Sequence, residues 1–110
     1  MSGQDLFKRM EELERSIHQA RQDMRKYGLQ HSQANYKFRR ALCVEMLKHK
    51  ADGMPVSILW DVCIGLPEVS DLKLAKDIAE VEYRSAIEAI NAYKLDKRQL
   101  GEQIDREYRG

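Results

Sequence analysis

Side chains that could support catalysis or bind a metal are few in this chain, and their spacing fits neither use. Cys43 and Cys63 stand 20 residues apart, without the Cys-x-x-Cys spacing of a zinc or redox motif. The histidines at positions 18, 31 and 49 lack the spacings of a helical metal site. We therefore expect no metal and no cofactor. We expect two reduced thiols that pack as small apolar side chains, the alternatives being a disulfide or half of a metal site.

Asp61 and Glu68 come closest to a general acid–base pair. No activated nucleophile, convergent base or glycine-rich phosphate loop accompanies these two carboxylates. The sequence therefore predicts a protein that is not an enzyme.

Positive charge is concentrated in residues 25–50, although the formal net charge of the chain is only +1. This segment holds seven Lys and Arg residues against one acid, whereas residues 51–110 hold twelve acids against eight bases. The simpler interpretation is that the basic segment complements the acidic C-terminal helix. The alternative is a basic face that binds nucleic acid or an acidic partner. The candidate binding residues on this face are Lys37, Arg39, Arg40, Lys48 and Lys50.

Trp60 is the only tryptophan and lies within a short apolar stretch. It is either a plug for the local core, the simpler interpretation, or an anchor for a partner, and it completes the candidate binding set. A helix-turn-helix interpretation of residues 53–72 is disfavoured, because the recognition helix would open with Glu68 and Asp71, which DNA phosphates repel.

The elements that position these residues are indicated by two apolar stripes with alternating spacings of four and three residues. Such spacing places side chains on one narrow helical face, here called the seam, along which two helices pack. The first stripe runs from Leu6 to Ala41 and the second from Ala79 to Ile104. The principal seam residues are Leu6, Met10, Leu13, Ile17, Met24, Tyr27 and Phe38 in the first stripe and Tyr83, Ile90, Tyr93, Leu100 and Ile104 in the second.

Helix-breaking residues mark where the two long helices end. Asp52-Gly53-Met54-Pro55 is typical of a helix C-terminus, and Gly65-Leu66-Pro67 of a turn into a new helix. We predict helices over about 3–51 and 67–108, joined by a tip at 52–66 that contains a short helix. The seam keeps its phase through Gly28, which favours one continuous first helix over a split at that glycine.

We therefore predict one all-α domain, a long antiparallel, coiled-coil-like hairpin with a short helix at its tip. Taking Trp60 as the midpoint pairs residue i with approximately residue 120 − i, to within a turn, which places Ala34 beside Ala86, Ala41 beside Ala79 and Ala20 beside Leu100. Apolar residues outside the seam would then need cover, so we expect a dimer. These residues are Phe7, Leu42, Val44, Met46 and Leu47 on the first helix and Leu74, Ile78, Val81 and Leu95 on the second.

The composition, with 34% charged and 43% hydrophobic residues, is typical of a helical protein in water. The longest apolar run is four residues, Ala41–Val44, and we expect no signal segment at the start of the sequence. We therefore expect a cytoplasmic protein that does not enter a membrane.

Several segments resemble a group of small, largely uncharacterised helical proteins encoded by bacteriophages and prophages of Gram-positive bacteria. The likeness lies in Lys50-Ala-Asp-Gly-Met-Pro-Val-Ser, Gly65-Leu-Pro-Glu-Val, Asp77-Ile-Ala-Glu-Val and Leu100-Gly-Glu-Gln-Ile-Asp-Arg-Glu-Tyr. Genes of this group tend to lie near replication and recombination genes. The matching residues form turns and packing surfaces, so the resemblance carries over no functional residue. It implies an accessory role in phage DNA metabolism or in inhibition of a host factor, through an unidentified protein partner in the host cytoplasm.

Overall fold

The computed structural model describes residues 2–109, and these residues form three α-helices. They are α1 (Gly3–Ala51), α2 (Val56–Ile64) and α3 (Pro67–Arg109). The predicted all-α hairpin is confirmed, with α1 and α3 as its long helices. Helix α1 continues through Gly28, so the alternative that split it there is wrong. Nowhere in residues 2–109 is a helix long and apolar enough to cross a membrane.

Helix α1 begins with a reciprocal cap between Ser2 and Asp5. The backbone N–H of Asp5 donates to Oγ of Ser2 at 3.3 Å, and the Ser2 hydroxyl donates to the Asp5 carboxylate at 2.8 Å. The hydroxyl satisfies one of the donors that a helix start leaves free, and the carboxylate suits the positive end of the helix dipole.

Helix α1 ends in a Schellman motif around Gly53, whose φ of +93° is the conformation that glycine adopts without strain. The N–H of Met54 donates to the carbonyl of His49, and the N–H of Gly53 donates to that of Lys50, both at 3.1 Å. Pro55 follows at once, so the chain reverses directly after α1.

The contacts divide the chain into two compact units, one comprising the described residues up to Lys26 and from Arg84 onward and the other comprising Tyr27–Tyr83. The core of the first unit is built on Leu6, Leu13 and Leu100. Antiparallel packing of α1 and α3 in this unit brings Phe7 to Tyr108, with ring centroids 5.8 Å apart.

In the second unit α1 and α3 are also antiparallel, and α2 closes the end. The Tyr83 ring lies beside His31, with centroids 6.0 Å apart, and Lys76 Nζ lies 5.5 Å from the centroid of Phe38. Cys63 of α2 and Val69 of α3 are fully buried. Burying an apolar side chain completely stabilises the fold by about 1.5–3 kcal/mol relative to leaving it exposed.

Every principal seam residue of both stripes is buried or half-buried, while Lys97 in the second stripe is exposed. The predicted register between the stripes is wrong. In the predicted register, the two residue numbers of each contacting pair add to about 120. In the Tyr27–Tyr83 unit they add to 111 for Gly28–Tyr83 and to 114 for His31–Tyr83 and Phe38–Lys76. The pairing of Ala41 with Ala79, both in this unit, therefore fails.

The other unit shows the same displacement, since the residue numbers add to 111 for the pair Glu14–Lys97 and to 115 for the pair Phe7–Tyr108. This register also rules out Ala20 beside Leu100. The physical reason lies in the tip. The reversal occurs at Gly53-Met54-Pro55, so the midpoint falls near Val56 and not at Trp60.

Three apolar side chains on the outer face of α3 remain exposed. Leu74, Ile78 and Val81 have exposed fractions of 60%, 52% and 64%. Phe7, Val44, Leu47 and Leu95 are also exposed, whereas Leu42 and Met46 are half-buried. The dimer that we expect from this surface stays a prediction.

Candidate binding surfaces

The Tyr27–Tyr83 unit carries a groove of about 700 Å³, here called the tip groove. Helices α1 and α2 form most of it, and α3 adds one side chain. Its apolar lining consists of Phe38, Leu42, Met46, Leu47, Val56, Leu59 and Trp60, and its other residues are Asn35, Arg39, Cys43, Lys50 and Lys76. The groove is thus an apolar surface with three cationic side chains and no carboxylate in its lining.

Helix periodicity explains why these residues share one groove. Asn35, Arg39, Leu42 and Met46 follow the i, i+4, i+7 pattern that places side chains on one face of α1, next to the seam. On α2, Leu59 and Cys63 point into the core and are buried, which leaves Trp60 on the groove side with 51% of its surface exposed. Trp60 is therefore a wall of the groove and not the core plug that we favoured from the sequence.

The charges of the tip groove are mostly uncompensated. Arg39 and Lys50 form no ion pair with any residue of the described chain, 2–109. Lys76 lies 3.5 Å from a carboxylate oxygen of Asp77 and also faces the Phe38 ring. An apolar floor beside unpaired cations suits a ligand that combines apolar groups with negative charge.

The other three basic residues of the candidate set lie on a different face. Lys37, Arg40 and Lys48 line a groove of about 470 Å³ between α1 and α3, whose lining also contains Glu45 and Glu68. Lys48 Nζ lies 3.5 Å from a carboxylate oxygen of Glu45. Arg40 donates to the Tyr36 hydroxyl at 3.0 Å and is partly held in place by it.

The structure therefore divides the predicted basic face in two. Arg39, Lys50 and Trp60 come together in the tip groove, whereas Lys37, Arg40 and Lys48 do not join them. The reason is the 100° turn per residue of an α-helix, which places Arg39 and Arg40 on different faces although they are adjacent in sequence.

A second basic surface, in the other unit, was not predicted from the sequence. It is a shallow depression of about 610 Å³ between α1 and α3. Its charged and titratable lining residues are Glu14, His18 and Arg21 of α1 and Lys94, Lys97 and Arg98 of α3. We call its four cations, Arg21, Lys94, Lys97 and Arg98, the basic cluster. The signal that could have found the cluster is the i, i+3, i+4 spacing of Lys94, Lys97 and Arg98, which a charge count over the acidic segment 51–110 obscures.

The residues weighed for catalysis or metal binding do not gather into a site. Cys63 is buried and Cys43 is exposed, and both are free thiols. Asp61 and Glu68 are exposed. Across residues 2–109 no group of three His, Cys, Asp or Glu side chains could hold a metal ion.

Within residues 2–109, the clearly shifted pKa is that of Asp77, which lines neither groove. A hydrogen bond from the Lys73 ammonium, 2.7 Å from the Asp77 carboxylate, is the main cause that holds the pKa of Asp77 below its usual value. Partial desolvation of the carboxyl opposes this shift, and the charges of Lys73 and Lys76 add to it. All three groups are at least partly exposed, so this is a structural ion pair of α3.

No protein-family model matches the chain, and neither a curated protein nor a solved structure matches it. The resemblance to phage-encoded proteins accordingly stays a hypothesis.

Proposed function

We propose that this protein is a non-enzymatic interaction protein that binds another protein through the tip groove. The observation that carries the proposal is the pairing of an apolar lining with Arg39, Lys50 and Lys76, without a carboxylate among the lining residues. The resemblance to phage proteins suggests the setting, an accessory role in phage DNA replication or recombination, or inhibition of a host factor, in the cytoplasm of the host.

The partner that fits this surface is an amphipathic helix with acidic residues flanking its apolar face. Such helices bind in grooves by inserting apolar side chains at i, i+3, i+4 and i+7. Trp60, half exposed on the groove wall, is the type of residue that anchors such contacts. Two copies of the tip groove facing each other would bring like charges together, which disfavours self-association through this surface.

Trp60 supplies the readout for the test, since it is the only tryptophan of the chain and lines the groove. The probe is a designed 16-residue helical peptide with leucines at i, i+3, i+4 and i+7 and glutamates beside them. We expect saturable changes in Trp60 emission with a micromolar Kd. The same peptide with lysines in place of the glutamates should bind at least ten-fold more weakly.

Two double variants with the same charge change locate the binding surface. Arg39→Glu with Lys50→Glu alters the tip groove, and Lys37→Glu with Lys48→Glu alters the same helix outside it. We expect the first pair to weaken binding of the acidic peptide at least ten-fold and the second pair less than three-fold. No response of Trp60 to the acidic peptide, or equal losses in both pairs, would contradict the proposal.

A second candidate function is non-specific nucleic-acid binding by the basic residues of 25–50. It is supported by the half-exposed Trp60 ring beside the unpaired Arg39 and Lys50, because aromatic rings and cations together bind single strands. A salt titration with single-stranded and double-stranded DNA tests it. The candidate requires Trp60 quenching by single strands and weaker binding in the Arg39→Glu/Lys50→Glu variant.

A third candidate is a structural role as an oligomer, which the exposed side chains of Leu74, Ile78 and Val81 support. Sedimentation equilibrium at 5–100 μM tests it directly. An oligomer that becomes a monomer in the Leu74→Glu/Ile78→Glu variant would support this role, and a monomer across that concentration range would exclude it.

A further inference from the structure

We infer that the basic cluster, Arg21 with Lys94, Lys97 and Arg98, binds the phosphate backbone of nucleic acid. The inference rests on the unit formed by residues 2–26 and 84–109 and is independent of the tip groove. None of these four residues belongs to the basic face that the sequence singled out.

The charge balance of the surface supports a polyanion. The depression holds four cations and one acid, Glu14. Lys97 Nζ lies 3.6 Å from a carboxylate oxygen of Glu14, whereas Arg21, Lys94 and Arg98 form no ion pair within the described part of the chain. All four cations are exposed, so a ligand in solvent can reach them.

The positions of the cations gather their charges into one patch. Lys94, Lys97 and Arg98 follow the i, i+3, i+4 spacing and therefore cluster within about 6 Å along α3. Arg21 adds a charge from α1 across the same depression. Lys and Arg contacts to successive phosphates position a nucleic acid without reading its sequence.

Few large apolar side chains line this surface, so it offers an amphipathic protein partner little to bind. Its only large apolar lining residues are Met10, which is half-buried, and Ile17, which is buried. Neither offers a surface like that of Trp60 in the tip groove. Binding here has to come from charge, and the partner that supplies charge without apolar contacts is the phosphodiester backbone.

The test is fluorescence anisotropy with a labelled 30-base-pair duplex and a labelled 30-nucleotide single strand, from 50 to 200 mM salt. Each phosphate contact contributes about −0.9 to the slope of log K against log salt for duplex DNA. Four contacts predict a slope of about −3 to −4, which is a loss of affinity of about 100-fold across this range.

The variant Arg21→Gln/Lys94→Gln/Arg98→Gln removes three of the four charges at exposed helical positions. We expect its slope for the duplex to fall to about −1 and its affinity at 50 mM salt to drop at least ten-fold. The matched control is Arg39→Gln/Lys50→Gln/Lys76→Gln, which makes the same change in net charge in the other unit and should lose less than three-fold. Circular dichroism at 222 nm verifies that both variants remain helical.

A gain of binding provides the sharper test. Glu14→Gln removes the only acid in the depression and releases Lys97 from its ion pair. We expect tighter DNA binding at 50 mM salt, because the carboxylate that repels phosphate is gone, and a variant that only perturbed the fold would not show this gain.

Three outcomes would overturn the inference. They are no DNA binding at 50 mM salt, equal losses in the cluster variant and its control, and competition by polyglutamate as effective as by unlabelled DNA. The last outcome would assign the cluster to an acidic protein. None of them bears on peptide binding in the tip groove, so the two proposals fail separately.

Discussion

The ring of Tyr83 on α3 lies against the backbone of Gly28 on α1, so closely that a Cβ built on Gly28 would stand 3.1 Å from Cε1 of the ring. The same ring stacks beside His31, one turn further along α1. Gly28 therefore does not end the helix. Its missing side chain makes room for an aromatic ring on the neighbouring helix, which accounts for a glycine in the interior of α1.

We expect Gly28→Ala to leave the free energy of unfolding unchanged or to lower it. Alanine in place of glycine inside a helix normally stabilises by about 1 kcal/mol. Here the new Cβ forces the Tyr83 ring to move by a few tenths of an ångström. Urea denaturation followed by circular dichroism measures the difference.

Gly101 provides the matched control, because it also lies inside a helix but a Cβ there would meet nothing within 4 Å. We expect Gly101→Ala to stabilise by up to about 1 kcal/mol. In a Tyr83→Ala background, Gly28→Ala should become stabilising as well. Equal gains from both glycines in the unmodified chain would show that the contact of Tyr83 with Gly28 does not matter.

We expect Gly53→Ala to lower the free energy of unfolding by roughly 1–2 kcal/mol. The φ of +93° at this position is one that alanine adopts only with strain, although space for a Cβ is open. The loss should appear as a lower urea midpoint with an unchanged m-value. A substitution without effect would mean that the turn after α1 tolerates another backbone conformation.

We expect the two thiols to react with a thiol reagent at very different rates. Cys43 is exposed in the tip groove, whereas Cys63 has an exposed fraction of 0%. Reaction with 5,5′-dithiobis(2-nitrobenzoate) should release one equivalent of chromophore rapidly from the folded protein and a second only after unfolding in guanidinium. A Cys43→Ser variant should lose the rapid phase. Two rapid equivalents would contradict the burial of Cys63.

We expect Asp77→Asn to lower the thermal midpoint slightly at pH 7 and to have no effect below the pKa of Asp77. Because the Lys73 ammonium lowers the pKa of Asp77 in the folded state, the stabilisation is present above the unfolded value of 3.8 and is lost as the pH falls through the lower folded value. Thermal melts of both proteins between pH 2 and 7 test this. A difference that persists at pH 2 would assign the effect to packing.

Local features of this protein were predictable because local chemistry determines them. The apolar spacing of Leu6, Leu13 and Ile17 defines one helical face whatever else the chain does, and Gly53 followed by Pro55 stops a helix with its own backbone geometry. The phase of the seam across Gly28 correctly indicated a continuous α1. These inferences need only the 3.6-residue period and the conformational limits of glycine and proline.

The pairing of distant residues was not predictable in the same way. A three-and-four seam is nearly periodic, so sliding α3 along α1 by about two turns still places apolar residues opposite apolar residues. The position of the reversal relative to Trp60 decides between such registers, and that depends on how the tip packs. The ion pair of Glu14 with Lys97 was missed for this reason, since the expected register placed Glu14 opposite Arg106.

The sequence by itself therefore determined the helices, their ends and the faces they bury, because each depends on side chains a few positions apart. The tertiary structure alone decided the register of α1 against α3, the division of the basic segment between two grooves, and the meeting of Arg21 from α1 with the cations of α3 in one cluster. Those outcomes depend on which of several similar packing arrangements fills space best, a choice that is made among residues far apart in the chain.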